Sequence, residues 1–340
     1  MSTIRSCNVC VVGGAGFLGS HLVDYLVEER GCQVLVVDNL VVGRREFIHR
    51  DAEFLHHDIT GSEDYLREAF IRRKIDYVFN YAAWPYIPDS FARPLHVFNV
   101  NATAAIKVIN AAHEAGCKGM LQVSSAEIYG DGQRGHYRAT NADEWGKDLA
   151  GQINEEGAVR PHSTYGCAKA AVDYYCQSAW RERRTPVIAL RQFNCLGPRD
   201  ILHPYIAPEV ITQLATQIGN PVGRLKLGNN SFRDFMYAGD AVRMAVELLE
   251  AEAWGEVFNL GSEQGIRIYD FAKLIGRCMG FDEVEIVQES SRMRHWEIWH
   301  LHACNDKIYS VVSARPTVSL EESVRRMVED LRSRGWKYAW

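Results

Sequence analysis

The stretch "STYGCAKAA" sets Tyr165 and Lys169 four residues apart, on one face of a predicted helix. A phenol with an ordinary pKa of about 10 becomes a working base near neutral pH when a neighbouring cation favours its anion. A lysine one turn away offers such a charge, so the pair can take the proton of an alcohol while hydride leaves the same carbon. Upstream, "VSSAEIYG" reads as a strand running out into small polar residues. Ser125 at its tip can hydrogen-bond the same hydroxyl. Glu127 follows, and a carboxylate at a buried strand tip is costly unless it is paired or used. Alternation along an extended tip would turn Glu127 to the same side as Ser125. Tyr-x-x-x-Lys alone recurs by chance in helices, so its weight depends on the elements around it.

The first of those elements is "NVCVVGGAGFLGSHLVDYL". A predicted strand runs into Gly13, Gly16, Phe17, Leu18 and Gly19, a G-x-x-G-x-x-G loop that opens a helix. Such a loop lets backbone approach a pyrophosphate, which the helix N-terminus then meets with free N–H groups and partial positive charge. Asp38, nineteen residues after Gly19, ends the second predicted strand, with Asn39 beside it. A carboxylate there can accept both hydroxyls of an adenosine ribose and repels a 2′-phosphate, which points to NAD rather than NADP. Arg44 and Arg45 could serve a phosphate or be solvated loop charges. Asp58 and Ile59, at the end of the third strand, could hold adenine or simply end that strand.

The rest of the chain supplies the scaffold. Short apolar strands alternate with helical patterns through the first half, as in a doubly wound parallel sheet of the Rossmann type, an α/β fold. We expect this domain to cover 1–193, with about 237–262 returning to it. A smaller mixed α/β part, 194–236 and 263–340, should pack closely against it across a cleft. The 340 residues are 47% hydrophobic and 24% charged, and 38 basic against 43 acidic residues give a net charge of −5. No basic block suggests nucleic acid, and no apolar run reaches membrane-spanning length. Nine cysteines are scattered, and Cys7 and Cys10 form a C-x-x-C with no second ligand pair. Reduced thiols in a cytoplasm, without a metal, are the expectation.

Taken together, "GGAGFLGSHL", "VVDN", "SSAEIYG", "YGCAK", "LRQFNCLGPR", "FRDFMYAGDAV" and "VFNLGS" resemble, in order and spacing, the extended short-chain dehydrogenase/reductases of the nucleotide-sugar epimerase/dehydratase branch. The resemblance covers nearly the whole chain. It implies a UDP-, GDP- or dTDP-linked sugar as substrate, NAD held tightly and regenerated each turnover, and a homodimer formed through helices near 101–115 and 165–182. Tyr165, Lys169, Ser125 and Glu127 would be catalytic, and Lys169 would also hold the nicotinamide ribose. Ala82 and Ala83 would border the cofactor. Ser125, Tyr165, Asn194, Arg233 and Arg294 would contact the substrate, with the two arginines on its diphosphate, whereas Arg292 reads as a surface ion pair.

Within that branch, glutamate two residues past Ser125 fits a 4,6-dehydratase. Once C4 of a hexose is a ketone, Glu127 can take the C5 proton and the 6-hydroxyl can leave as water. Ala126 departs from the aspartate that dTDP-glucose dehydratases carry between these two positions, and Ser125 from their threonine. A 4-epimerase is therefore the alternative, with uronate decarboxylation and a non-catalytic NAD sensor behind it. Tyr81 and Leu196 also depart from the family's usual histidine and tyrosine. "WPYIPDSF" (84–91) lines the sugar pocket or packs between the two parts. The segment between Gly130 and Tyr165 is long, and "HYRATNADEWGKD" (136–148) within it is expected to form a lid or an interface. His295, Trp296, Trp299, His300 and His302 read as packing or stacking groups rather than metal ligands.

Overall fold

The computed structural model describes residues 3–130, 152–201, 205–293 and 297–336. The chain begins with β1 (Asn8–Val12), α1 (Phe17–Glu28), β2 (Gln33–Asp38) and β3 (Glu53–His56). It continues through α2 (Glu63–Arg73), β4 (Tyr77–Asn80), the short helices α3 (Ile87–Ala92) and α4 (Pro94–Phe98), and α5 (Ala104–Glu114). β5 (Gly119–Ser125), α6 (Thr164–Arg183) and β6 (Val187–Gln192) follow. Beyond them come β7 (Asn194–Leu196), α7 (Ile206–Ala215), β8 (Val222–Leu227), β9 (Phe232–Tyr237), α8 (Ala238–Glu250) and β10 (Val257–Leu260). The last elements are β11 (Gly265–Arg267), α9 (Ile268–Met279), β12 (Glu283–Gln288), β13 (His300–Leu301), α10 (Asp306–Tyr309) and α11 (Leu320–Ser333).

Seven parallel strands form the main sheet in the order β10-β6-β5-β4-β1-β2-β3. Their near-continuous apolar runs are what a sheet covered by helices on both faces requires. Val9, Val11, Val34, Val36, Phe79 and Leu121 pack toward α1 and α8, through Leu22, Leu26, Val246 and Leu249. Cys10, Val12, Leu35, Val37, Val78 and Met120 face the other way, onto Leu66, Phe70, Val108 and Val172 of α2, α5 and α6. Cys10 is thus a buried core residue of β1 and Cys7 is half-buried before it, the ordinary strand cysteines expected. Sequence reading did not find α2. Its run EDYLREAFIRR is mostly polar; Glu63 and Asp64 in the first turn and Arg72 and Arg73 in the last complement the helix dipole.

The strand register brings one edge of the sheet into line. Val12 lies opposite Val37 and Asn80, and Ser125 opposite Gln192. Gly13, Asp38, Tyr81, Ser125 and Phe193 therefore emerge together, at the carboxyl ends of the strands, where open α/β sheets bind ligands. The chain from β7 to β9, and again past β10, builds the facing wall. β7, β9, β11 and β13 make a four-stranded sheet and β8 pairs with β12. A separate apolar cluster under them draws on Leu196, Ile211, Leu225, Phe235, Phe271, Ile275, Val328 and Leu331.

Candidate active site

A cleft of about 610 Å³ runs along this edge. At one end α1 begins at Gly16 with no side-chain cap and no acidic residue in its first turn, so its leading N–H groups remain for an anion. Gly13, Gly16, Phe17, Leu18 and Gly19 all line the cleft. A Cβ on Gly19 would collide with the Gly13 carbonyl, so the close crossing of loop and helix requires glycine there. Buried Asp38 accepts the Ala15 amide at 3.0 Å and the Leu40 amide at 2.8 Å, one on each carboxylate oxygen. Burial pushes its carboxyl up, against the pull of these amides. Each oxygen keeps a further lone pair for a ribose hydroxyl. Arg45 stacks over Phe54 at 4.2 Å and Arg44 is exposed; neither lines the cleft. Asn39 donates to Asp58 at 3.0 Å, and the Thr60 amide and hydroxyl bind the other Asp58 oxygen. Burial works to raise the Asp58 carboxyl, but these donors outweigh it and hold it below the usual range. Asp58, Ile59, Ala82 and Ala83 complete this end. Its charge, shape and free amides fit an adenine dinucleotide.

In the middle, α6 starts on the Ser163 cap, whose hydroxyl accepts the Gly166 amide at 3.0 Å. This aims Tyr165 and Lys169 together into the cleft, beside Ser125. Lys169 donates to the Val123 carbonyl at 2.9 Å, and its nitrogen lies 5.9 Å from the centre of the Tyr165 ring. Burial pulls its ammonium down to about 8. Burial raises the Tyr165 pKa and Glu127 adds to the rise, while the hydrogen bond with Ser125 works the other way. The lowering expected of this phenol depends on oxidised nicotinamide nearby as well as on the Lys169 cation.

Glu127 also reaches the cleft by another route than expected. The strand stops at Ser125, whose hydroxyl accepts the Glu127 amide at 3.2 Å and caps a 3-10 turn, Ala126–Tyr129. Strand alternation therefore does not apply. The turn closes at Gly130, where φ is +55° and a Cβ would meet the Arg160 carbonyl. Tyr129 fixes the turn from behind. It donates to Asn259 of β10 at 2.7 Å and accepts from Arg191 Nη1 at 2.8 Å, and Arg191 is paired through Nε and Nη2 with buried Asp173.

At the far end, Asn194 lines the cleft and donates to the Asp234 carbonyl at 3.3 Å. Arg233 lines it too, but is engaged: it donates to the Ile298 carbonyl and to Glu297, each at 2.6 Å. Arg292 forms the ion pairs expected of it, with Glu209 and with Glu289 at 2.9 Å. Arg294, His295, Trp296 and 131–151 of the long segment lie outside the described residues. His300 stacks on Phe232 at 4.7 Å, and Trp299 is buried, both as packing groups. Trp84, Pro85, Tyr86, Ile87 and Pro88 line the cleft, and Leu196 borders it while buried in the second core. Sequence reading missed Asp200, Tyr205, Glu209 and Glu297, which also face the cleft. Asp200 directly follows the "GPR" turn; nothing else in the sequence marks the four.

Comparison with known proteins agrees with this arrangement. The model of the NAD dependent epimerase/dehydratase family matches residues 9–261. The dTDP-D-glucose 4,6-dehydratase of Mus musculus is 26% identical over 359 residues, spanning 97% of this chain and 91% of the mouse protein. The UDP-glucose 4-epimerase of Streptococcus mutans serotype c is 27% identical over 326 residues, 91% of each chain. A crystal structure of the UDP-glucose 4-epimerase of Thermotoga maritima with UDP-glucose superposes with a TM-score of 0.81 at 27% identity, covering 96% of this chain and 99% of that one. With a glycine cradle at one end of its cleft and a buried tyrosine–lysine pair at the middle, the chain belongs to the NAD-dependent epimerase/dehydratase family of extended short-chain dehydrogenase/reductases.

Proposed function

We propose that the protein is a nucleotide-diphospho-sugar 4,6-dehydratase acting through a transient 4-ketone. The observation that carries this reading is Glu127, held in the cleft beside Ser125 and Tyr165 by a capped turn. Bound NAD, kept through the cycle, would take hydride from C4 and return it at C6. The chain's own residues do the rest. Ser125 hydrogen-bonds the C4 hydroxyl and Tyr165 removes its proton. Lys169, already close to its proton-loss range, adds positive charge beside the phenol and binds the nicotinamide ribose. Glu127 then takes the C5 proton, which the adjacent ketone has made acidic. Asn194 and Arg233 receive the sugar diphosphate within the half formed by 194–236 and 263–340, Arg233 offering the N–H groups it does not spend on Glu297. Asp38 accepts the adenosine ribose, with Asn39, Asp58, Ile59, Ala82 and Ala83 around the cofactor.

A 4-epimerase is the second reading, favoured by the likeness to the Streptococcus and Thermotoga 4-epimerases. In it Glu127 would hydrogen-bond substrate hydroxyls while the ketone turns over. For quaternary structure, Phe91, Leu95 and Phe98 of α3 and α4 and Tyr174 of α6 expose apolar surface suited to a second copy of the chain, on helices that pack together.

The deciding experiment incubates the purified protein with dTDP-glucose or UDP-glucose. Loss of one water by mass, with solvent deuterium at C5, is expected. An unchanged mass with altered stereochemistry by NMR would replace the dehydratase with the epimerase.

A further inference from the structure

Eliminating water from a 4-keto sugar needs two groups on opposite errands, because hydroxide is a poor leaving group until it is protonated. Ser125 and Tyr165 serve C4, Ala126 has no proton to give, and Glu127 is occupied as the base at C5. Among the described residues three further carboxyls line the cleft beyond its cofactor end, and Glu209 and Glu297 are held by Arg292 and Arg233, which leaves Asp200. Asp200 leaves β7 just past the Gly197–Pro198 turn and is 5% exposed while lining the same cleft as Glu127 and Tyr165. It shares electrostatic contact with Tyr205, which in turn faces Tyr165, Glu127 and Tyr86.

We propose that Asp200 is the general acid that protonates the departing 6-hydroxyl. This rests on the dehydratase reading. As Glu127 takes the C5 proton, the C–H electron pair becomes the C5–C6 double bond. The C6–O bond breaks with its pair on oxygen, and that oxygen takes the Asp200 proton and leaves as water. The alkene is then reduced at C6 by the hydride lifted earlier from C4, while Glu127 returns its proton to C5. Tyr165 has gained one proton and Asp200 has lost one, so exchange through the open cleft closes the cycle.

The surroundings suit the role. Among the described residues, the titratable groups in electrostatic contact with Asp200 are the Tyr205 phenol and the Cys195 thiol, both held neutral by burial. Neighbouring Arg199 turns away to Asp24 at 2.7 Å, Arg233 is held by Glu297, and Arg292 by Glu209. Burial alone pushes the Asp200 carboxyl up to about 8, so it keeps its proton at neutral pH. Two carboxyls in one pocket, one poised to accept and one to donate, is how acid and base roles are divided.

The test compares wild-type holoenzyme with Asp200→Asn on dTDP-glucose and UDP-glucose, and on dTDP-6-deoxy-6-fluoroglucose, whose leaving group needs far less help from an acid. The variant should still form reduced nicotinamide, read by fluorescence, yet release water about a hundredfold more slowly or worse. Fluoride release should recover to near the wild-type rate. In wild type, water loss should fall as pH rises through about 8, and that limb should vanish in Asp200→Asn. Water release by the variant at the wild-type rate, equal slowness on the fluoro sugar, or loss of reduced-nicotinamide formation would each overturn the assignment. A wild-type enzyme that inverts C4 and never releases water would instead overturn the dehydratase reading beneath it.

Discussion

At the glycine-loop end of the cleft, the contacts are offered by main chain. Gly13 to Gly19 come from one continuous segment, the α1 amides point outward, and the one buried acid, Asp38, is steadied by two backbone N–H groups. At the far end the contacts are offered by side chains from distant segments that have already found one another. Arg233 meets Glu297 across 64 positions and Arg292 meets Glu209 across 83. The first end is pre-organised by backbone geometry and changes little when a ligand arrives. The second is a set of paired charges, Arg233–Glu297 buried and Arg292–Glu209 partly exposed, and losing one member of the buried pair leaves the other desolvated.

Four substitutions probe this contrast. Tyr165→Phe sits between the two ends and should lower turnover by about a thousandfold or more. Sugar-nucleotide affinity, measured by calorimetry, should remain near wild type; near-normal turnover would remove the phenol from the chemistry. Arg233→Met should cost about 3 kcal/mol or more in urea unfolding, since it strands Glu297 in the interior. Arg233→Met/Glu297→Met should recover much of that loss, and a double variant no more stable than the single would mean the two are not coupled. Gly19→Ala should cost about 1–3 kcal/mol through a backbone collision, read as NAD lost during gel filtration. Full NAD retention would show that the crossing can relax. Asp38→Asn should weaken NAD binding about tenfold, a loss near 1.4 kcal/mol, and narrow the gap to NADP. Unaltered preference between the two would place selectivity elsewhere.

The same contrast governs what could be read from the sequence. The glycine loop, Asp38 and the Tyr165–Lys169 spacing are local patterns, and each has one physical use in its context. Glu127 was legible as a residue but not in its seat, because a serine hydroxyl and Gly130 turn a strand tip into a 3-10 turn. The helical spacing of Tyr165 and Lys169 reports a neighbouring charge and says nothing about the desolvation that raises the phenol. Asp200, Tyr205, Glu209 and Glu297 carry no periodic signal; loops bring them to the cleft from separate parts of the chain. The helix α2 was hidden by its polar composition.

One topological detail has a wider consequence. The strand β10 lies against β6, yet the chain between them travels out through β7, α7, β8 and β9 to build part of the opposite wall before α8 brings it back onto the sheet. That wall is thus joined to the sheet after β6 and again after β10, neighbouring strands about 4.8 Å apart, and a third time ahead of α8. It can rock against the sheet but cannot swing away like a door on one hinge. During synthesis, β6 must wait with a bare edge until residue 260 has emerged, and the wall, which also needs β11 to α11, is finished only after the sheet.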